Sequence, residues 1–534
     1  MSIRHNISHK FLLILPVSAI LLFGFFGCKD EVENKKPFVR LIEDQSIHSK
    51  IFNREIKYAV LLPKEYENSN DSFPVVYLLH GYGDDQTAWY KGGMIQYYSD
   101  LHESENGPMI FVMPQAFNSY YVNRWNGSLP YMDYFTTELV PAIDSIYRTK
   151  KDKTQRAVMG YSMGGYGAFI LPFKNPDLFS ISVPLSMSFR TDEQYLAESQ
   201  DVFDNQWALI FGGLGTSGLN RITAYFKTYS PFHFLIQDDP STYSDLKILV
   251  DCGDDEESLS ITNGELHNLL SDRNIAHEYR TRNGAHSWDY WHKSLPEALN
   301  FISYGFKGLQ YPSNPNSEDI GAIISDNQYQ LVDITGTDIQ VGVFKPSNYD
   351  ISSAPFPVIF FLNDYQNSNR KDFAFKVISL LNNAMISGQI RNSVIVEIPS
   401  TDEEINSTSL ATIFNQIKTN FLIIGGKKGR VLIGNGRGGE IIAKSISQFS
   451  ESIDACFLYN SSLSETVDIV SSVYYYVQLT DKSKYYKGNF YLYEQLHSSE
   501  SSYEYRVDQG DSSQQSVING IKKSLDYLSK KLVF

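Results

Sequence analysis

One stretch of this chain leaves few choices of fold. Residues 156–168 read Arg-Ala-Val-Met-Gly-Tyr-Ser-Met-Gly-Gly-Tyr-Gly-Ala. An apolar strand leads into a sharp turn carrying Ser162, and a helix opens on glycines. A serine held in such a cramped bend needs neighbours with almost no side chain, and Gly160 and Gly164 meet that need. Gly165 lets the start of the helix pack closely on the strand. The bend lifts the hydroxyl out of the sheet, and the N–H of Met163 points into the same space. A strand feeding a helix in this way fits an α/β fold, and mainly parallel sheets with helices on both faces are expected.

The remaining polar residues fall at the ends of similar strands. Phe73 to Leu79 is a nearly continuous apolar run, as in a buried central strand, and it delivers His80-Gly81-Tyr82-Gly83-Asp84-Asp85. The backbone N–H of Tyr82 is placed to work with that of Met163 as a pair of donors to a developing oxyanion. His80 reads as a structural hydrogen-bonding residue. Lys247 to Gly253 is a further buried strand, followed at once by Asp254, Asp255, Glu256 and Glu257. His286 sits between small residues on a loop that opens a helix, and it is the best general-base candidate among the histidines. Ser162 as nucleophile, His286 as base and an acid from the 254–257 turn make a set for acyl transfer. Residues 188–243 do not alternate cleanly and read as an insertion that covers the cleft.

These motifs carry a resemblance. The centre of the first stretch fits Gly-x-Ser-x-Gly, the nucleophile elbow of α/β-hydrolases, and the order serine, acid, histidine is also theirs. HGYGDD, MPQAFNSYYVNRW, GYSMGGYGA, LVDCGDD and NGAHSWDYW together resemble the esterase D-like branch, which includes feruloyl and acetylxylan esterases. The resemblance covers about residues 45–306. It implies Ser162 as nucleophile, His286 as base, Tyr82 and Met163 as oxyanion donors, and an acid three residues beyond Gly253. That position is Glu256, where the family usually has aspartate; an apparent one-residue insertion leaves Asp255 open. Tyr161, Trp125 and Trp288 are expected to bind substrate, and the expected reaction is hydrolysis of acyl or feruloyl esters on polysaccharide. Acyl transfer to a sugar uses the same triad and stays open, as does a surface binding protein in which the second half is the binding module.

That second half repeats the first without its chemistry. Ile339 to Pro346 echoes Ile56 to Pro63, Phe356 to Leu362 echoes Phe73 to Leu79, and Tyr503 to Arg506 echoes His277 to Arg280. Arg430 to Gly439 echoes the elbow, with Gly436 at the serine position. His80-Gly81 becomes Asn363-Asp364, His286 falls on Ser512, and the acidic turn becomes Asp481-Lys482-Ser483. With no nucleophile and no base, triad chemistry cannot run there. Two tandem α/β-hydrolase-type domains are expected, catalytic over 45–308 and degenerate over 323–534, joined by a linker at 309–322.

Residues 1–27 carry a basic start and an apolar run from Phe11 to Phe26, the pattern of a signal peptide. Gly27-Cys28 then resembles a bacterial lipoprotein cleavage box, with Cys28 lipidated and residues 28–44 a tether. The expected location is extracytoplasmic, held to a bacterial membrane by that lipid alone. A formal net charge of −15 with no basic run beyond the start argues against nucleic-acid binding. Three cysteines and no Cys/His cluster of ligand spacing point to no disulfide, metal or cofactor.

Overall fold

Val75–Leu79 is buried at every position, and so are Ile110–Pro114, Arg156–Tyr161 and Ile181–Leu185. Strands covered on both faces need no alternation, which explains why their sequences are mostly apolar, with Arg156 and Ser182 buried among them. The computed structural model describes residues 39–313, 319–365, 368–400 and 405–533, and residues 40–534 form one unit. The expected signal segment and Cys28 lie outside the described residues, as does part of the expected linker.

The first half contributes β1 (Leu41–Ser49), β2 (Arg54–Leu61), β3 (Val75–Leu79), β4 (Ile110–Pro114), β5 (Arg156–Tyr161), β6 (Ile181–Leu185), β7 (Lys247–Gly253) and β8 (Glu278–Arg282). The second contributes β9 (Tyr329–Asp333), β10 (Gln340–Phe344), β11 (Val358–Asn363), β12 (Val394–Pro399), β13 (Arg430–Asn435), β14 (Ala455–Tyr459), β15 (Tyr474–Thr480) and β16 (Tyr503–Asp508). Their spatial order is 1-2-4-3-5-6-7-8 in the first half and 9-10-12-11-13-14-15-16 in the second. The same topology is therefore drawn twice. In each copy the second strand runs antiparallel to both of its neighbours, β1 and β4 or β9 and β12, and the remaining pairings within the copy are parallel. β1 begins inside the stretch expected to be a tether, because Leu41 and Ile42 already pair with Leu61 and Val60.

The two copies do not stand apart as separate sheets. β8 and β16 meet antiparallel through Val507 and Thr281, closing one sixteen-stranded sheet. The contacts at this seam are reciprocal. Asp254 accepts from the backbone of Tyr505 and Gly284 and from the guanidinium of Arg506. Asp481 accepts from the backbone of Tyr279 and Gly510 and from the guanidinium of Arg280. Each half presents the same donors and acceptors to the other, the logic of an isologous dimer written into one chain. Helices Ser258–Asp272 and Tyr486–His497 cover the seam, and Gly264 is required where the Phe490 ring lies 2.1 Å from the place a Cβ would take.

Candidate active site

The residues singled out for chemistry follow the C-terminal ends of β3, β5, β7 and β8, where open α/β sheets place their ligand crevices. Ser162 stands between β5 and the helix Met163–Lys174 with φ 58° and ψ −121°, a conformation that strains a non-glycine residue. A Cβ on Gly160 would stand 2.2 Å from the Gly164 carbonyl oxygen, and one on Gly164 would stand 2.2 Å from that of Leu79. The bend is held by Ser162 N–H donating to Leu185 O at 3.0 Å, and by Tyr166 and Ser188 N–H donating to Ser162 O.

Glu256 meets the histidine. Its Oε2 lies 2.7 Å from His286 Nδ1. Its Oε1 accepts from Ser186 Oγ at 2.5 Å and from Gly253 N–H at 2.9 Å. The Glu256 side chain is fully buried and the His286 ring about one-third exposed. A carboxylate facing Nδ1 makes that nitrogen the donor and leaves Nε2 as the basic one. Trp291 stands edge-on to the His286 ring at 5.1 Å and donates from Nε1 to Ser186 Oγ at 2.8 Å. Of the other acids in the turn, Asp255 and Glu257 are exposed and Asp254 faces Arg506. No hydrogen bond joins Ser162 Oγ to the His286 ring among the described residues, and catalytic contacts of this kind often tighten only when substrate binds.

Met163 is the first residue of its helix, so its N–H has no acceptor within the helix. Tyr82 follows β3 in the turn closed by Asp84 N–H donating to Gly81 O. His80 is buried. Its Nδ1 donates to Gly81 O at 2.8 Å, and its Nε2 accepts from Ala116 N–H at 2.9 Å. Burial pushes its pKa down, so it stays neutral and braces the loop after β4.

The three aromatic residues expected at the substrate part ways. Trp125 is 51% exposed, beside Gly212 of the inserted helices. Trp288 is half-buried over Gly92 and Gly93. Tyr161 corrects the expectation, being 2% exposed. Its ring packs between Trp89, Trp288 and Trp291, and its hydroxyl donates to Asp84 at 2.5 Å. Successive strand residues point to opposite faces, so being next to Ser162 does not bring Tyr161 into the cleft. Sequence reasoning also misses Ser186. It follows β6 with φ 48°, and the one available signal is its place at the end of the strand between those of the serine and the acid.

In the second half Gly436 repeats the elbow backbone at φ 51° and ψ −123°. The Asp364 carboxylate accepts the backbone N–H of Arg437 and lies 2.0 Å from where a Cβ on Gly436 would be. A fixed anion thus occupies the place where the first half leaves Met163 N–H open.

Residues 49–302 match the family model described as putative esterase. An acetyl esterase of Caldicellulosiruptor saccharolyticus is 23% identical over 271 residues, which is 48% of this chain and 96% of that protein. An endo-1,4-beta-xylanase/feruloyl esterase of Xylanibacter ruminicola is 30% identical over 129 residues, covering 22% of this chain and 18% of that one. A solved ferulic acid esterase is 27% identical with a TM-score of 0.42, covering 50% of this chain and 98% of its own.

Proposed function

We propose that in this carboxylic-ester hydrolase, whose residues 49–302 match the putative esterase family model, Ser162, His286 and Glu256 carry the reaction through an acyl-enzyme. Ser162 Oγ attacks the ester carbonyl carbon as His286 Nε2 takes its proton. The carbonyl oxygen becomes an oxyanion facing the N–H groups of Tyr82 and Met163. Collapse breaks the bond to the alcohol, which leaves with the proton from His286. Water then attacks the acyl-serine carbonyl and loses a proton to His286; the adduct collapses by breaking its bond to Ser162 Oγ, which takes that proton back as the carboxylic acid departs. Glu256 holds Nδ1–H and balances the imidazolium. The observation that carries this reading is the 2.7 Å contact between Glu256 and His286, on strand ends shared with the strained Ser162.

The proposed substrates are acetyl or feruloyl esters on polysaccharide. The exposed rings of Trp125 and Tyr82 support this, since flat apolar faces suit sugars and aryl groups. The names of the acetyl and feruloyl esterase relatives support it too. We assign the second half no hydrolysis of its own, and we assign Cys28 a lipid that tethers the chain outside the cytoplasm.

The test is hydrolysis of p-nitrophenyl acetate and methyl ferulate by the wild type, Ser162→Ala and His286→Ala. Both variants should lose at least about a thousandfold in kcat. A Ser162→Ala protein with undiminished turnover would overturn the reading. Mass spectrometry of chain purified from membranes should find the lipid on Cys28, and an unmodified Cys28 would remove the anchor.

A further inference from the structure

The Asp254 carboxylate does two things at once. Its Oδ1 accepts the N–H of Gly284, two residues before His286. Its Oδ2 accepts the N–H of Tyr505 and the guanidinium of Arg506, both from β16. Asp254 itself stands two residues before Glu256. Its own N–H donates to Arg282 O at 3.1 Å, and the next N–H, of Asp255, donates to Gly284 O at 3.2 Å. The carbonyl of Asp254 lies 3.1 Å from Tyr493 Oη and accepts from it, and Ser260 Oγ lies 2.6 Å from the same hydroxyl oxygen. The turn that bears the acid and the loop that bears the histidine are therefore bound to each other through a residue whose counter-charge, Arg506, comes from the second half. Tyr493 lies stacked on Tyr505 at 4.0 Å, so the brace is a packed surface with little freedom to shift.

Resting on the triad reading above, we propose that Arg506 is a positioning residue for the acid and the base, and that the degenerate half works as a fixed brace for the catalytic one. Arg506 is itself clamped by Glu504 and by Tyr527 Oη. Burial pushes the Asp254 carboxyl up and Arg506 pulls against it, leaving it at about 6. Loss of that cation would push the carboxyl further up, and a protonated carboxyl grips Gly284 N–H less firmly. Loss of the brace should spoil the placement of His286 against the substrate while leaving the substrate's own contacts intact. The reciprocal clamp of Arg280 on Asp481 offers an internal control. It seals the same seam, but it braces the turn and loop of Ser483 and Ser512, which have no nucleophile to serve.

The experiment compares Arg506→Gln, Arg506→Lys and Asp481→Asn in the full chain, with p-nitrophenyl acetate as substrate and with thermal midpoints recorded. Arg506→Gln should lower kcat about tenfold or more with KM changed less than about twofold, because misplacing a catalytic group acts on the chemical step. Arg506→Lys should recover part of the loss. Asp481→Asn should lower the thermal midpoint but leave kcat within about twofold of the wild type. If Arg506→Gln does not fold, Tyr493→Phe removes only the hydroxyl that holds the Asp254 carbonyl and should lower kcat about threefold. Full kcat in Arg506→Gln, or in Tyr493→Phe where that variant stands in, would overturn the proposal. Equal losses of kcat in Arg506→Gln and Asp481→Asn would do so too. Failure of the triad reading looks different, since Ser162→Ala would then keep its activity.

Discussion

Arg280 Nη1 lies 2.7 Å from Asp481 Oδ2 across the seam, and Arg506 makes the reciprocal contact with Asp254. A pair repeated this way has a physical consequence. Each arginine brings a buried carboxylate its counter-charge, and neither carboxylate could be buried at low cost without it. The two halves therefore cannot separate without leaving uncompensated charge on both. The seam belongs to the stability of the whole unit, even though the chemistry we assign sits on one side of it.

Choosing between the two acids left open by the sequence is a matter of substitution. Glu256→Gln keeps the shape but lets the amide turn its N–H₂ toward His286 Nδ1, which favours the wrong tautomer. A loss of about a hundredfold to ten-thousandfold in kcat is expected. Asp255→Asn alters an exposed side chain and should leave kcat within about twofold. Steady-state kinetics of the two proteins decide the matter, and the reverse ranking would move the acid to Asp255.

Ser186 makes a finer prediction. Its hydroxyl links Trp291 Nε1 to Glu256 Oε1. Ser186→Ala removes one donor from the buried carboxylate and the acceptor for a buried indole. The expected cost is about 1–3 kcal/mol of stability, with a fall in kcat of about fivefold. Denaturant melts and kinetics on the same preparation measure both. An unchanged kcat would make Ser186 a packing residue only.

The assignment of no hydrolysis to the second half can be tested at Gly436. Gly436→Ser forces a side chain into a left-handed backbone and against the Asp364 carboxylate. In a Ser162→Ala background it should restore no ester hydrolysis. It should also lower the thermal midpoint, because strain of about 1–2 kcal/mol is added. Recovered turnover in that double variant would overturn the assignment of no base to the second half.

How far the sequence reaches follows from the range of the forces involved. The elbow at Ser162 is legible because its steric demands are local, with Gly160 and Gly164 within two positions. The repeat is legible because buried strands keep their apolar runs whatever residues follow their ends, as Val358–Asn363 does beside Val75–Leu79. The choice of Glu256 is not legible. It depends on a turn that Glu257 ends with φ 47° and on Ser186, seventy positions away. Nor does the sequence say that β8 meets β16. The matching Glu-Tyr-Arg of 278–280 and 504–506 is visible as a repeat, but that two copies of one edge complement each other appears only once the strands are side by side.

The seam also carries a carboxylate whose ionisation works against folding. Glu494, on the helix Tyr486–His497, shares a cavity with Glu265 of the helix Ser258–Asp272 and with Asp192 and Glu193. Burial, and next the charge of Glu265, push the Glu494 carboxyl up to about 7. Glu265 is itself raised by burial and by Glu193. With a folded pKa above the unfolded one, the native state keeps a proton that the unfolded chain has released. Stability linked to this group is therefore full below the usual carboxylate range and is lost as pH rises through about 7. Glu494→Gln should then melt at a higher temperature than the wild type at pH 8 and at the same temperature at pH 4. Because the site is partly open to solvent, about 0.5 M salt should narrow the gap at pH 8. Differential scanning calorimetry at the two pH values reads this directly. A gap of equal size at both would trace the effect to packing and away from charge.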